Sequence, residues 1–277
     1  MTIKRIDIGI NLMNKQFKDD RLDIVQRALE NGTGLIITGT DLESSKRAIN
    51  FIRENNLENV WCTVGVHPHN AKEVDDGYMS TLSKLIRQNT DIVVAIGEAG
   101  LDYDRMFSSI EQQRYALKEQ MSLADKAELP MFLHERSAVD DFIKLTKNNR
   151  EVCRRSIVHC FTGSKETVYR YLQLGYMIGL TGWICDNRRN KDVLEALKII
   201  PLERILIETD APYLTPLNVK EKLPRRNTPD NLHYVIEKIA EVKNLSPIEV
   251  ESVVLRNTLR TFKIEGTKND KTSTSIQ

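Results

Sequence analysis

The sequence predicts an α/β protein built as a (β/α)8 TIM barrel. Three observations carry that expectation. Short apolar runs alternate with helical segments along almost the whole chain, and strict β–α alternation implies a parallel sheet with its helices outside. Most runs are unbroken, as strands buried on both faces must be. Eight such units fit into about 210 residues, which favours a closed sheet over an open doubly wound one. No G-x-G-x-x-G or P-loop string occurs, which further weakens an open nucleotide-binding sheet.

The first strand is expected at 3–10, followed by a helix near 19–30 with Leu22, Val25 and Leu29 on one stripe. Asn31-Gly32 would stop that helix through a left-handed cap. Strands at 34–40 and 59–66 flank a helix near 43–55, and a helix near 79–88 leads to the strand IVVAIGE at 92–98. Ser109, with Gln112 three residues on, reads as a capping box that opens a long helix to about 128. PMFLH (130–134) follows, and Val139, Phe142, Ile143 and Thr146 then mark one face of the next helix. SIVH (156–159), a helix from Ser164 to Gly175, a strand at 176–182, a helix near 190–199 and RILIETD (204–210) complete the series. A Pro- and charge-rich loop, 211–231, leads to two closing helices near 231–243 and 247–262. A single barrel domain is therefore expected over 1–264, with the polar stretch 265–277 as a disordered tail.

Composition narrows the setting. The chain has 277 residues, with 40 basic and 39 acidic side chains and a formal net charge of +1. No global basic field marks a nucleic-acid binder, so such contact has to come from a local patch. Cys62, Cys153, Cys160 and Cys185 are widely spaced and read as free thiols of a reducing compartment. The N-terminus enters a strand at once, and no stretch nears the ~18 apolar residues of a bilayer span. A cytoplasmic protein without a membrane partner is the expectation, and a monomer is the favoured state.

Four residues carry the chemistry. Glu98, His134, His159 and Asp210 each stand at the end of an apolar run, where a polar side chain is costly unless it faces a cleft or a metal. Barrel strand ends converge on one face, so these four would meet at a single rim. Mixed imidazole and carboxylate donors suit Zn²⁺, Mn²⁺ or related ions. Asp210 is of the right type to be either a ligand or the base that takes a proton from water. Asp7 and Asp102 read as groups that hold the histidines, and Cys160 as packing.

The strings DIGINL, TGT, GVHPH, IGEAGLDY, FLHER, HCFTGS, GLTGW, IETDAPYL and RRNTP fall in order from about residue 6 to 262. As an ordered set they resemble the TatD family of metal-dependent deoxyribonucleases. That resemblance implies a TIM barrel of the amidohydrolase type and metal-dependent phosphodiester hydrolysis. It also implies a 3′-to-5′ exonuclease on single-stranded DNA, or on RNA, serving DNA repair or degradation. The implied metal set is Glu98, His134 and His159 with Asp210 beside them, Mg²⁺ or Mn²⁺ serving activity and Zn²⁺ also suited. Glu98, Asp210 and His67, the latter matching a family active-site histidine, form the catalytic group. Many relatives carry H-x-H on strand one, where this chain has Gly9 and Asn11. One firmly held ion is therefore expected, with any second ion weak.

Substrate contacts are expected from Arg136, two residues after His134, and from Arg188, Arg189, Arg225 and Arg226 on the last two loops. Tyr103, Phe161, Trp183 and Tyr213 follow strand ends and could stack on unpaired bases. Two other readings keep the barrel: a deacylase or amidohydrolase acting on, for example, aminoacylated tRNA, and a catalytically inert nucleic-acid-binding barrel.

Overall fold

All eight expected strands form, and they pair in chain order as one parallel sheet. They are β1 (Arg5–Ile10), β2 (Thr33–Ile37), β3 (Val60–Val64), β4 (Val93–Asp102), β5 (Met131–Arg136), β6 (Ile157–Val158), β7 (Met177–Leu180) and β8 (Ile205–Ile207). The structure is a computed structural model, and residues 2–219 and 222–265 are described. The circle closes just beyond β8. Asp210 adopts a left-handed backbone (φ 53°), Ala211 bridges in parallel to Ile10, and backbone N–H groups of Asp210 and Asn11 donate to Gly9 (2.9 Å) and Ala211 (2.8 Å) carbonyls.

Parity along the strands explains the unbroken apolar runs. Leu35, Ile37, Met131, Leu133, Val158, Ile178, Ile205 and Ile207 join the outer core between strands and helices. Their immediate neighbours Ile36, Phe132, Ile157, Met177 and Leu206 join an inner cluster, together with Ile6, Ile8, Phe262 and Ile264. Both sides of each strand are thus dry, and fully burying one such side chain contributes about 1.5–3 kcal/mol. The interior is packed rather than hollow.

The helices are α1 (Arg21–Glu30), α2 (Leu42–Glu54), α3 (Asp76–Arg87), α4 (Ile110–Ala127), α5 (Val139–Thr146), α6 (Arg150–Arg155), α7 (Lys165–Leu174), α8 (Lys191–Ile199), α9 (Leu232–Lys243) and α10 (Pro247–Thr261). Ser109 and Gln112 form the expected reciprocal capping box at α4. The buried stripe of α1 is Ile24, Val25 and Ala28, so the helix is turned from the expected stripe and Leu22 and Leu29 are half-buried. α3 starts earlier than its apolar pattern suggests because Asp75 caps it, accepting from the Tyr78 N–H at 2.7 Å. Helix α6 was not expected; six residues are too few to show a period.

All four cysteines are free, three of them buried. Among the described residues no helix is long and apolar enough to cross a membrane. The expected tail lies outside the described residues except for Glu265.

Candidate active site

Glu98 does not end its strand, as its apolar run had suggested. β4 continues to Asp102, pairing Ala99, Gly100, Leu101 and Asp102 with Leu133, His134, Glu135 and Arg136. The register shifts between Gly97 and Ala99, so Glu98 is the extra residue of an irregularity of the kind that re-aims a side chain. Two glycines permit it. Gly97 and Gly100 both have φ of +145°, and a Cβ on either would overlap a β5 carbonyl oxygen, Phe132 or His134 respectively. His134 is likewise inside β5, whereas His159 directly follows β6 and Asp210 lies three residues past β8.

Glu98, His134 and His159 meet, and His67 joins them, while Asp210 is engaged by Asn11. The Oε1 atom of Glu98 lies 2.9 Å from His159 Nε2, 3.2 Å from His134 Nδ1 and 3.3 Å from His67 Nε2. One ligand atom from each of His67, Glu98 and His134 fits within 4.8 Å, a grouping able to hold a metal ion. His159 is braced by the Phe132 ring at 4.3 Å between centroids. Asp102 stands behind, with Oδ2 at 2.8 Å from His69 Nε2 and 3.5 Å from His134 Nε2. It fills the expected role of holding histidines. Asp7 does not: its carboxylate accepts from Thr209 N–H (2.9 Å), Thr209 Oγ1 (2.5 Å) and Gly9 N–H (3.2 Å), binding β1 to the chain after β8.

Glu208 is a site residue that the sequence reading missed. It is fully buried, with Oε1 accepting from the Cys160 N–H at 2.5 Å and Oε2 at 3.3 Å from His159 Nδ1. The available signal was the two-residue period of a strand, which carries the inward side of Leu206 on to position 208. Gly9 leaves it room, since a Cβ there would stand 2.5 Å from Glu208 Oε2 and 2.8 Å from Phe132 Cζ. Asn11 instead donates to Asp210 Oδ1 at 2.8 Å. The two strand-one positions thus serve the neighbouring acids.

Charge follows from burial and proximity. Burial opposes ionisation of Glu98, yet the imidazoles around it hold its carboxyl well below the usual carboxylate range. Burial also opposes charge on His159, but Glu98 and Glu208 hold it well above the ordinary imidazole range. His134 is raised against its own burial by Asp102 and Glu98. Burial takes His67 below that range, with Glu98 opposing it. Burial pushes Asp210 up to about 8, with Glu98 and Glu208 adding to the effect and His159 opposing it. Burial, then Asp210 and Glu208, drives the Cys160 thiol well up, which suits packing and not a nucleophile.

Around the rim, four of the five expected arginines already have partners, while Arg225 is exposed and, among the described residues, only its carbonyl is engaged, by Thr215. Arg136 pairs with Asp104 at 2.8 Å, and Arg188 and Arg189 both reach Asp186. Arg226 makes two bonds to Asp20 and one to the Gln16 carbonyl, tying the last loop to the segment after β1. Of the rim aromatics, Tyr103 donates to Asp141, and Phe161 is buried against Tyr171. One face of Trp183 carries the Arg189 guanidinium, 3.6 Å from the ring centroid. Tyr213 remains 49% exposed. A cavity of about 290 Å³ opens beside His159, lined by Glu135, Arg136, Phe161, Thr162 and Gly163 among others.

This geometry coincides with a family pattern: the family model described as TatD related DNase matches residues 6–263. The chain belongs to the TatD family. Among its relatives, the protein named 3′-5′ ssDNA/RNA exonuclease TatD from Erwinia tasmaniensis is 39% identical over 260 residues, 93% of this chain and 99% of that protein. A TatD-family hydrolase from Entamoeba histolytica superposes with a TM-score of 0.86 at 32% identity, covering 94% of this chain and 98% of the other. The TatD homologue YjjV of Escherichia coli K12 gives 0.85 at 28% identity, covering 96% and 100%. The TatD chain described here is therefore a hydrolase on a TIM barrel, of a metal-dependent family.

Proposed function

We propose that this protein is a metal-dependent nuclease that removes nucleotides from the 3′ end of single-stranded DNA, with RNA as a further substrate. The observation that carries the reading is the buried Glu98 carboxylate ringed by three imidazoles, with Asp210 held beside them, in a chain whose relatives bear exonuclease names. An amide- or ester-cleaving enzyme and an inert barrel gain no support from those relatives.

The donor set fits a divalent cation. Three imidazoles crowd one carboxylate oxygen, and His134 Nε2 is buried with no good hydrogen-bond partner beyond the 3.5 Å contact to Asp102. Glu98, His134 and His159 would hold the ion, with Asp210 and His67 at its edge. Imidazole donors favour Zn²⁺ for tight binding, while Mg²⁺ or Mn²⁺, which suit the carboxylates, is proposed for turnover. When bound, such an ion polarises a phosphoryl oxygen and lowers the pKa of attacking water. One ion is proposed to be held firmly, because Gly9 and Asn11 offer no imidazole and Glu208 fills the space next to Gly9.

The chain's own residues do the rest. Asp210, oriented by the Asn11 amide, takes the proton of the attacking water. His67, whose Nδ1 accepts from the His69 N–H, turns its Nε2 toward Glu98 and steadies that carboxylate. Glu208 and Phe132 hold the His159 ring in place. Arg136 and the cavity beside His159 are proposed to receive the terminal nucleotide. Tyr103, Trp183 and Arg226 keep a supporting place at the rim, each engaged with a protein neighbour in the free protein. A monomer working in the cytoplasm completes the proposal.

The test uses a 5′-labelled single-stranded oligonucleotide with Mg²⁺ or Mn²⁺. A ladder of shortening products that EDTA stops is expected, and Glu98→Gln should lower the rate by a factor on the order of a thousand or more. A full-length band persisting across Mg²⁺, Mn²⁺ and Zn²⁺ would overturn the reading.

A further inference from the structure

Phe107 is out of place by the standards of its own residue type. The chain has seven phenylalanines. Phe17, Phe132, Phe142, Phe161 and Phe262 are buried and Phe51 is half-buried, while Phe107 is 60% exposed. Tyr115, Tyr169 and Tyr213 are exposed too, but a tyrosine has a hydroxyl to keep in water and Phe107 has none. Its neighbour Met106 is 43% exposed, so a small apolar platform sits at the surface.

Its location gives that platform a use. Phe107 lies on the loop between β4 and α4, on the same end of the barrel as the site, and its ring meets the His69 ring edge-on at 4.7 Å. His69 leads to the site through Asp102, whose Oδ2 atom also faces His134 while Oδ1 accepts from the Asp104 and Arg105 N–H groups. Nor is the loop loose. Ser108 Oγ donates to the His69 carbonyl at 2.9 Å and accepts from the Lys72 N–H at 3.1 Å. Buried Gln113 donates to the carbonyls of Ser108 and Asp102, both at 3.0 Å. An exposed aromatic is thus held rigidly at the rim of the site, one imidazole away from Asp102, and exposed Lys72 is tied to the same loop through Ser108.

The geometry points to Phe107 as a stacking platform for an unpaired base of the nucleic-acid strand, one that selects single strands by the open base face they offer. This rests on the nuclease reading and adds the element that grips the strand outside the cleavage point. Stacking on an aromatic ring tolerates any base, because every base has a π-face, and a paired base inside a duplex cannot offer one. Braced on one side by His69, the Phe107 ring loses little freedom when a base settles on it.

The experiment measures KM and kcat on single-stranded DNA for the wild-type protein and for Phe107→Ala, Phe107→Leu and Phe107→Tyr. Phe107→Ala should raise KM about tenfold, within the range that stacking of one base supports, while kcat changes less than about twofold and the melting temperature stays put. Phe107→Tyr should restore KM and Phe107→Leu should not, because leucine is apolar without a π-face. A second series places one abasic nucleotide at each of the last few positions from the 3′ end. At one of those positions the wild-type and Phe107→Ala proteins should give the same KM. An unchanged KM in Phe107→Ala, full rescue by leucine, or a penalty that persists at every abasic position would each overturn the platform while leaving the nuclease reading intact. Failure of the wild-type protein to cut any strand would overturn both.

Discussion

Glu208 shows how a site depends on a side chain that need not touch the metal. Its carboxylate spans the Cys160 N–H and the Nδ1 side of His159, so the Nε2 atom faces Glu98 in a fixed orientation. Acids that hold a ligating imidazole in this way typically change metal affinity about 10–100-fold when removed. Glu208→Gln preserves the shape and removes the charge. The expected outcome is metal binding weakened by about tenfold or more, with the far-ultraviolet spectrum unchanged. Calorimetric titration with Mn²⁺ checks it, and wild-type affinity in the variant would show that Glu208 only fills space.

Among the elements, the seam between β8 and β1 concentrates the risk. β8 has three residues, and beyond them the seam is held by one bridge, two backbone hydrogen bonds, the Asn11–Asp210 bond, the Arg226 contacts and Asp7. Asp7 accepts three hydrogen bonds there, two of them from Thr209. Burial still pushes its carboxyl up to about 7, offset in part by those donors. Asp7→Ala would strand the Thr209 N–H and hydroxyl in a dry seam, each costing about 1–3 kcal/mol. A loss of roughly 2–5 kcal/mol in urea unfolding is expected on that basis. A loss under about 0.5 kcal/mol, the level of an ordinary surface substitution, would mean that the barrel closes without Asp7.

At the scale of the whole molecule, the proposed ion, held by side chains from three neighbouring strands, should report on global stability. Ligand at about a hundred times its dissociation constant adds about 2.7 kcal/mol, which for a chain of this size corresponds to roughly 5–10 °C in melting temperature. The shift should depend on pH. Metal-free His159 and His134 hold protons above the usual imidazole range, so below that raised pKa a cation must displace them. Binding should therefore tighten as pH rises from 6 to 8, as measured by Mn²⁺ thermal-shift titrations at fixed ionic strength. An affinity independent of pH would mean that the imidazoles do not ligate.

Chain order alone carried the architecture and the centre of the site. Eight apolar runs with helical spacing between them could bury both faces only in a parallel sheet with helices outside. Because such strands converge at one end, His134, His159, Glu98 and Asp210 had to lie near one another. What depended on contacts across the fold was hidden. The bulge that turns Glu98 inward needs β5 to approach Gly97 and Gly100, and one sequence does not show which strand comes close. Whether Arg226 meets a phosphate or Asp20 depends on a partner some two hundred positions away, and the same holds for the pairing of Asn11 with Asp210. Phe107 could not be told from a core residue until its burial was known. Local patterning determines which elements form and which faces are apolar; the partners of buried charges and exposed rings are set by distances that only the closed barrel creates.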